Sequence, residues 1–154
     1  MKMNYQQYKE REQGRFNNLP IKFAFGRTQF REMMEAWGLT ENDTDKIYAL
    51  GAGGYYLRSD AQIIRDYFNR KDELPDLMAD EEFAIDAFEF EMANHEYAIN
   101  WQGDWDVCSC FANKELAYGD DKTYVDYLTE MGHPEWIDAY SKAKKNHHKM
   151  AANW

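Results

Sequence analysis

Asp80-Glu81-Glu82-Phe83-Ala84-Ile85-Asp86-Ala87-Phe88-Glu89-Phe90-Glu91-Met92-Ala93-Asn94-His95-Glu96 (residues 80–96) is the stretch from which the rest of the chain is read. Phe83, Ala84, Ala87, Phe88 and Met92 recur at helical spacing and form one apolar face, which Ile85 and Phe90 widen. Asp80 stands where an N-cap is needed, and Glu81 and Glu82 follow in the first turn, where exposed N–H groups favour negative charge. The polar side is almost all carboxylate. Glu82, Asp86 and Glu89 fall at i, i+4 and i+7 and stack three like charges on one ridge. Each such pair costs a few tenths of a kcal/mol in an isolated helix. A lysine among them would relieve that cost, and none is present.

The same bias extends on both sides. Asp72 to Asn113 holds twelve carboxylates, Glu91, Glu96, Asp104 and Asp106 among them, and no Lys or Arg. The formal charge of the whole chain is −10, so the residues outside this segment sum to a small positive charge. From Asp80 to Glu96 there is one carboxylate per ~3.5 Å of helix, close to the ~3.4 Å per charge of a single DNA strand. The plain reading of such a run is a solvated face that keeps the protein soluble. The functional reading is a docking surface for a basic partner. It comprises Asp80, Glu81, Glu82, Asp86, Glu89, Glu91, Glu96, Asp104 and Asp106, with Trp105 as the aromatic anchor. Net negative charge disfavours direct binding to nucleic acid or to an anionic membrane.

At 154 residues, with 25 aromatic side chains and no linker-like composition, the chain reads as one packed domain. A helix over 3–17, frayed at its start, ends at Leu19-Pro20. Ile21, Phe23 and Phe25 alternate with Lys22 and Ala24 as the inward side of a strand over 21–25. Phe30, Met33, Met34 and Trp37 make a helical stripe that Gly38 closes, with Leu39 folding back. Strands over 46–50 and 55–58 flank Gly51-Ala52-Gly53-Gly54 as a hairpin. A phosphate-cradling loop is the rival reading there, but no Gly-Lys-Ser/Thr follows. Ser59 and Gln62 match a capping box before a helix burying Ile63, Ile64, Tyr67 and Phe68. Residues 72–79 make an acidic connection or single turn around Pro75. Glu96 to Trp101 alternates as a further strand, after which Asp104 caps a helix with Val107, Cys108 and Phe111 inward. Asp121 caps the next, which buries Tyr124, Val125, Leu128 and Met131 and ends at Gly132. His133-Pro134 opens the last helix, whose end over 142–154 is basic.

Two rival sites use the same central residues. Glu91 and His95, four apart, share a helix face as a metal pair, with Cys108, Cys110 or Asp104 to complete it. No recognised spacing links them, so the sequence by itself assigns no metal and no cofactor. A thiol nucleophile pairing Cys108 or Cys110 with His95 or His133 lacks an orienting third group. Reduced, packed thiols are the default for two cysteines so close together. The N-terminus has no signal-peptide core and no apolar run reaches about 18 residues, which leads to the expectation of a cytoplasmic protein.

Phe23-Ala24-Phe25, Gln29-Phe30, Trp37-Gly38-Leu39, the run Asp45 to Tyr56 with its Leu-Gly-Ala-Gly-Gly-Tyr, and Asn94-His95-Glu96-Tyr97 resemble a group of small uncharacterised proteins carried by bacterial phages and conjugative elements. The resemblance covers residues 5–111 and carries no catalytic residues with it. In acidity and in its strand–helix–strand module the chain is also similar to ArdA-type antirestriction proteins, which mimic DNA. The resemblance implies a mobile-element setting in a bacterial host cell. The expectation is therefore an α+β domain with a small, mainly antiparallel sheet and five or six helices. Its expected function is a non-enzymatic inhibitor that occupies the groove of a host nucleic-acid-binding defence protein. The alternatives are a metal-dependent protein built on Glu91, His95 and the cysteines, and a plain acidic interaction module.

Overall fold

The computed structural model describes residues 2–153, so the last position of the expected basic helix end, 142–154, lies outside the described residues. The architecture is α+β: a three-stranded antiparallel sheet and, among the described residues, eight α-helices instead of five or six. The helices are α1 (Tyr5–Asn17), α2 (Arg27–Ala36), α3 (Ala61–Asn69), α4 (Leu74–Met78), α5 (Glu81–Asn94), α6 (Gly103–Ser109), α7 (Tyr124–Glu130) and α8 (Ile137–Ala151). The excess comes from the short helices α4, α6 and α7, of five to seven residues. The strands are β1 (Lys22–Phe23), β2 (Ile47–Gly51) and β3 (Gly54–Leu57), in the order β1-β3-β2. Contacts divide the chain into two compact units, where the sequence reading has one domain. One comprises the chain up to Arg11 with the chain from Asp72 onward; the other is Glu12–Lys71. No described helix is long and apolar enough to cross a membrane.

In the Glu12–Lys71 unit, α2 lays Met33 and Met34 against Ala24 and Ile47, with Phe30, Trp37, Leu39, Tyr55 and Leu57 around them. The helix ends as its sequence requires. Gly38 takes a φ of 74°, its N–H reaches Glu35 and the Leu39 N–H reaches Met34, which closes a Schellman motif. Strand β1 corrects the sequence reading in both length and sense. Only two residues pair, Ala24 is the buried one, and Phe23 and Phe25 face solvent. The inner side is already filled by the α2 methionines and has room for an alanine, while bare Gly53 and Gly54 give the phenyl rings a surface to lie on. A 3-10 turn at Arg58–Asp60 displaces the start of α3, so Ser59 makes no cap and Gln62 bonds Asp66 instead. Of the expected buried stripe, Ile64 is buried and Ile63 and Phe68 are exposed.

The other unit is built on α5. The Asp80 carboxylate accepts from the Glu82 N–H, and Phe83, Ala84, Ala87, Phe88 and Met92 are all buried, as the periodicity predicts. Helices α5 and α8 pack together, and Ala84, Ala87, Ala139 and Ala143 are buried in the shared core. Around these small side chains the rings interlock edge to face: Phe88 lies 5.0 Å from Tyr140 and 4.8 Å from Phe111. Tyr5 enters the same cluster 5.4 Å from Phe90. Residues 96–101 are not a strand. Glu96 adopts a left-handed φ of 51° and Tyr97–Ile99 form one 3-10 turn. The chain must reverse between α5 and α6, and Asn100 holds the reversal by donating to the His95 carbonyl and to Asp106.

Two caps differ from expectation. Thr123, not Asp121, caps α7 in a reciprocal box with Asp126, which turns Val125 outward. Helix α6 starts before Asp104, which is drawn inward to other partners. Gly132 ends the α7 region as expected, with a φ of 83°.

Phe88 is fully buried, so Phe88→Ala should lower the free energy of unfolding by ~3–5 kcal/mol, while Ile63→Ala on the exposed side of α3 should stay within about 0.5 kcal/mol. Chemical denaturation of the two variants checks the contrast. Burial also holds the α8 residue His147 below the ordinary imidazole value of 6.5. Its unfolded form therefore binds a proton first, so its stabilisation is complete above pH 6.5 and is lost as pH falls through and below that value. Urea midpoints over that range should fall less steeply for His147→Gln than for the native chain.

Candidate metal centre

Helix α5 carries Glu91 and, one turn later at its C-cap, His95. The C-cap of α6 is Cys110. The reversal at 96–102 folds these two helix ends together, so Cys110 Sγ lies 3.3 Å from His95 Nε2. With a Glu91 carboxylate oxygen, the three ligand atoms all lie within 4.8 Å of one another. A tetrahedral zinc ion with Zn–S of ~2.3 Å and Zn–N of ~2.0 Å sets sulfur and nitrogen about 3.5 Å apart. The observed pair matches that edge, and the carboxylate has to close by no more than about 1.5 Å.

Glu91 is 2% exposed, an unusual burial for a carboxylate. Its Oε2 accepts from the Tyr5 hydroxyl at 2.8 Å and from Lys9 Nζ at 3.3 Å, and Oε1 accepts from Asn94 at 3.3 Å. Burial alone would push this carboxyl up, but the Tyr5 hydroxyl, the Lys9 charge and the Cys110 thiol together hold it below the usual range. Cys110 is exposed as a residue, yet its sulfur lies against His95, Glu91 and the Asp106 carbonyl. Burial of the sulfur and the Glu91 charge push its thiol up to about 12. The structure thus brings together the Cys110–His95 pair of the sequence reading, with the sulfur held as a thiol at neutral pH. A divalent ion would displace the thiol proton and compete with Lys9 for the carboxylate. Cys108, the other sequence candidate, is buried away from this group, and its thiol is pushed higher still by burial and Asp104.

The nine carboxylates assigned to docking separate into four sets. Glu82, Asp86 and Glu89 do share the solvent side of α5, although the Tyr5 N–H donates to Asp86 and Asn146 to Glu89. Asp80 and Glu81 are paired within the chain, Asp80 with Lys2 at 2.8 Å and Glu81 with Lys142 of the basic tail. Glu96 is exposed at the left-handed residue that breaks α5. Three others do not belong to an open surface. Glu91 is buried as described. Asp106 accepts from Asn100. Asp104 accepts from the hydroxyls of Tyr97 and Tyr140 and from the Tyr124 N–H. Burial pushes both phenols up, so they remain donors to it.

Trp105 is half-buried, with its indole N–H on the Leu116 carbonyl and its ring packed against the core. Trp101 and Ile99, both 78% exposed, are the apolar side chains that this segment offers to solvent. Nothing in the sequence marks Tyr5 and Lys9 as neighbours of Glu91, because more than eighty residues separate them.

A family model matches residues 4–108. The chain belongs to the DUF7659 family, a family of unknown function. Glu91 and His95 lie inside the DUF7659 match, and Cys110 lies two residues beyond it. No curated protein and no solved structure matches.

Proposed function

We propose that this protein is metal-dependent and that Glu91, His95 and Cys110 hold one divalent ion of the zinc class. The observation that carries the reading is the convergence of three different donors, oxygen, nitrogen and sulfur, from two helix ends. A mixed imidazole, thiolate and carboxylate set suits zinc better than calcium or magnesium, which take oxygen ligands. Three protein ligands would leave a fourth position for water or a partner's group. Bound there, the ion would tie the end of α5 to the end of α6 beneath the loop that presents Ile99 and Trp101.

Elemental analysis and native mass spectrometry of the purified chain should give one zinc per molecule. Titration with Co2+ should produce a thiolate-to-cobalt charge-transfer band that Cys110→Ser abolishes. Tyr5→Phe, which removes a hydrogen bond to a ligand, should weaken the metal by about 10–100-fold. Absence of both retained zinc and the cobalt band would sink the reading.

A second reading is supported by the ridge of Glu82, Asp86 and Glu89, which spans ~10 Å along the open side of α5. On it, the protein is a phage or mobile-element inhibitor of a host nucleic-acid-binding defence protein, steered to a basic groove by opposite charge. Asp86 also holds Tyr5, so the informative variant is the double Glu82→Lys, Glu89→Lys. Capture of a nucleic-acid-binding protein from host lysate should be salt-sensitive, competed by DNA and lost in that variant. Capture that survives the double reversal would remove the ridge from consideration.

A further inference from the structure

The Glu12–Lys71 unit contains nine basic and eight acidic side chains, so the negative charge of the chain resides wholly in the other unit. An argument against nucleic acid based on net charge therefore does not apply to its sheet. The outer side of that sheet is aromatic. Phe23 pairs opposite Gly54, and Tyr48 opposite Tyr56. Side chains alternate along a strand, so residues 54 and 56 point the same way and Phe23, Tyr48 and Tyr56 share one surface. It is the surface turned away from Met33, Met34 and Ile47.

Glycine makes this surface possible. A Cβ at Gly54 would stand 3.2 Å from a Phe23 ring carbon, and one at Gly53 would stand 2.3 Å from a Phe25 ring carbon. Both rings thus rest on bare backbone, with Phe23 48% and Phe25 66% exposed. Tyr48 is 40% exposed and lies 5.6 Å from Tyr56. The Arg58 guanidinium sits over the Tyr48 ring at 4.6 Å.

We propose that this surface binds single-stranded nucleic acid, with bases stacking on Phe23, Phe25 and Tyr48 and a backbone phosphate on Arg58. Stacking on exposed rings tolerates any base, because every base has a π face, and a cation beside the rings supplies the phosphate contact. A duplex keeps those base faces in its own stack and has less to offer such a surface. The Gly51–Gly54 segment then serves an anion-binding protein without cradling the anion. Its glycines leave the rings room against the backbone.

The test is fluorescence anisotropy of the full chain with labelled single-stranded oligo(dT), oligo(U) and a mixed-sequence duplex. The single strands should bind at least about tenfold more tightly than the duplex. Phe25→Ala and Tyr48→Ala should each weaken them about tenfold, while Ile63→Ala on α3 has no effect. Arg58→Ala should reduce the slope of log K against log salt by about 0.7. Both aromatic positions are solvent-exposed, and circular dichroism of each variant establishes that it folds. Three results overturn the proposal: no binding of either single strand at low salt, equal binding of duplex, or binding untouched by Phe25→Ala. Sedimentation velocity covers the other occupant. Dimerisation that Phe25→Ala abolishes, without any oligonucleotide binding, would assign the surface to a second copy and also overturn it. Cys110→Ser protein should bind oligonucleotide as the native chain does, which keeps this result separate from that of the metal site.

Discussion

A carboxylate placed on the apolar side of a helix has to be supplied with donors, and the larger unit of this protein is arranged around meeting that demand for Glu91. Left without partners, a buried charge costs several kcal/mol, more than a small unit of this kind can spare. Tyr5 and Lys9 come from the first helix to satisfy it, and Asn94 closes the same carboxylate from its own helix. Drawing Tyr5 into place also delivers a ring to Phe83, Phe90 and Phe111, so the polar and the apolar requirements reinforce each other. The end of α6 then arrives beside the end of α5, and a histidine and a cysteine come together next to the buried acid.

The acidity of the central segment has a different meaning in three dimensions from the one it has in a list of residues. Its charges are spread among capping, burial, ion pairing and open surface. Asp80 caps a helix and pairs with Lys2; Asp104 anchors two tyrosines; Glu81 meets Lys142. The ion pairs of Asp80 and Glu81 are exposed to solvent, so they relieve repulsion and do not hold the fold together. What remains open is a short ridge on α5, much smaller than the run of 42 residues implies.

Charge averaged over the whole chain also conceals a division of labour between the units. One is strongly acidic and built of helices. The other is nearly neutral and has a sheet with one side packed on α2 and the other an exposed aromatic surface. On the aromatic side the glycines of the hairpin act twice, allowing the left-handed turn at Gly51 and Gly53 and leaving room for rings on Gly53 and Gly54.

How much of this was legible beforehand follows the range of the forces involved. Helix α5 with its cap and inward side, the Schellman ends at Gly38 and Gly132 and the hairpin at 51–54 all rest on sterics and hydrogen bonds among residues a few positions apart. Such interactions are written in the order of the amino acids. The sense of β1, the engagement of Asp104 by Tyr124 and Tyr140 and the pairing of Tyr5 with Glu91 depend on partners far along the chain. Alternation at 21–25 is compatible with either side facing in, and only the space left by Met33 and Met34 decides between them, while alternation at 96–101 does not by itself make a strand. The sequence by itself therefore determined the long helices, the hairpin at 51–54 and that acid dominates the centre. Tertiary packing alone decided which acids are surface, which one is core, and that a histidine and a cysteine would meet beside it.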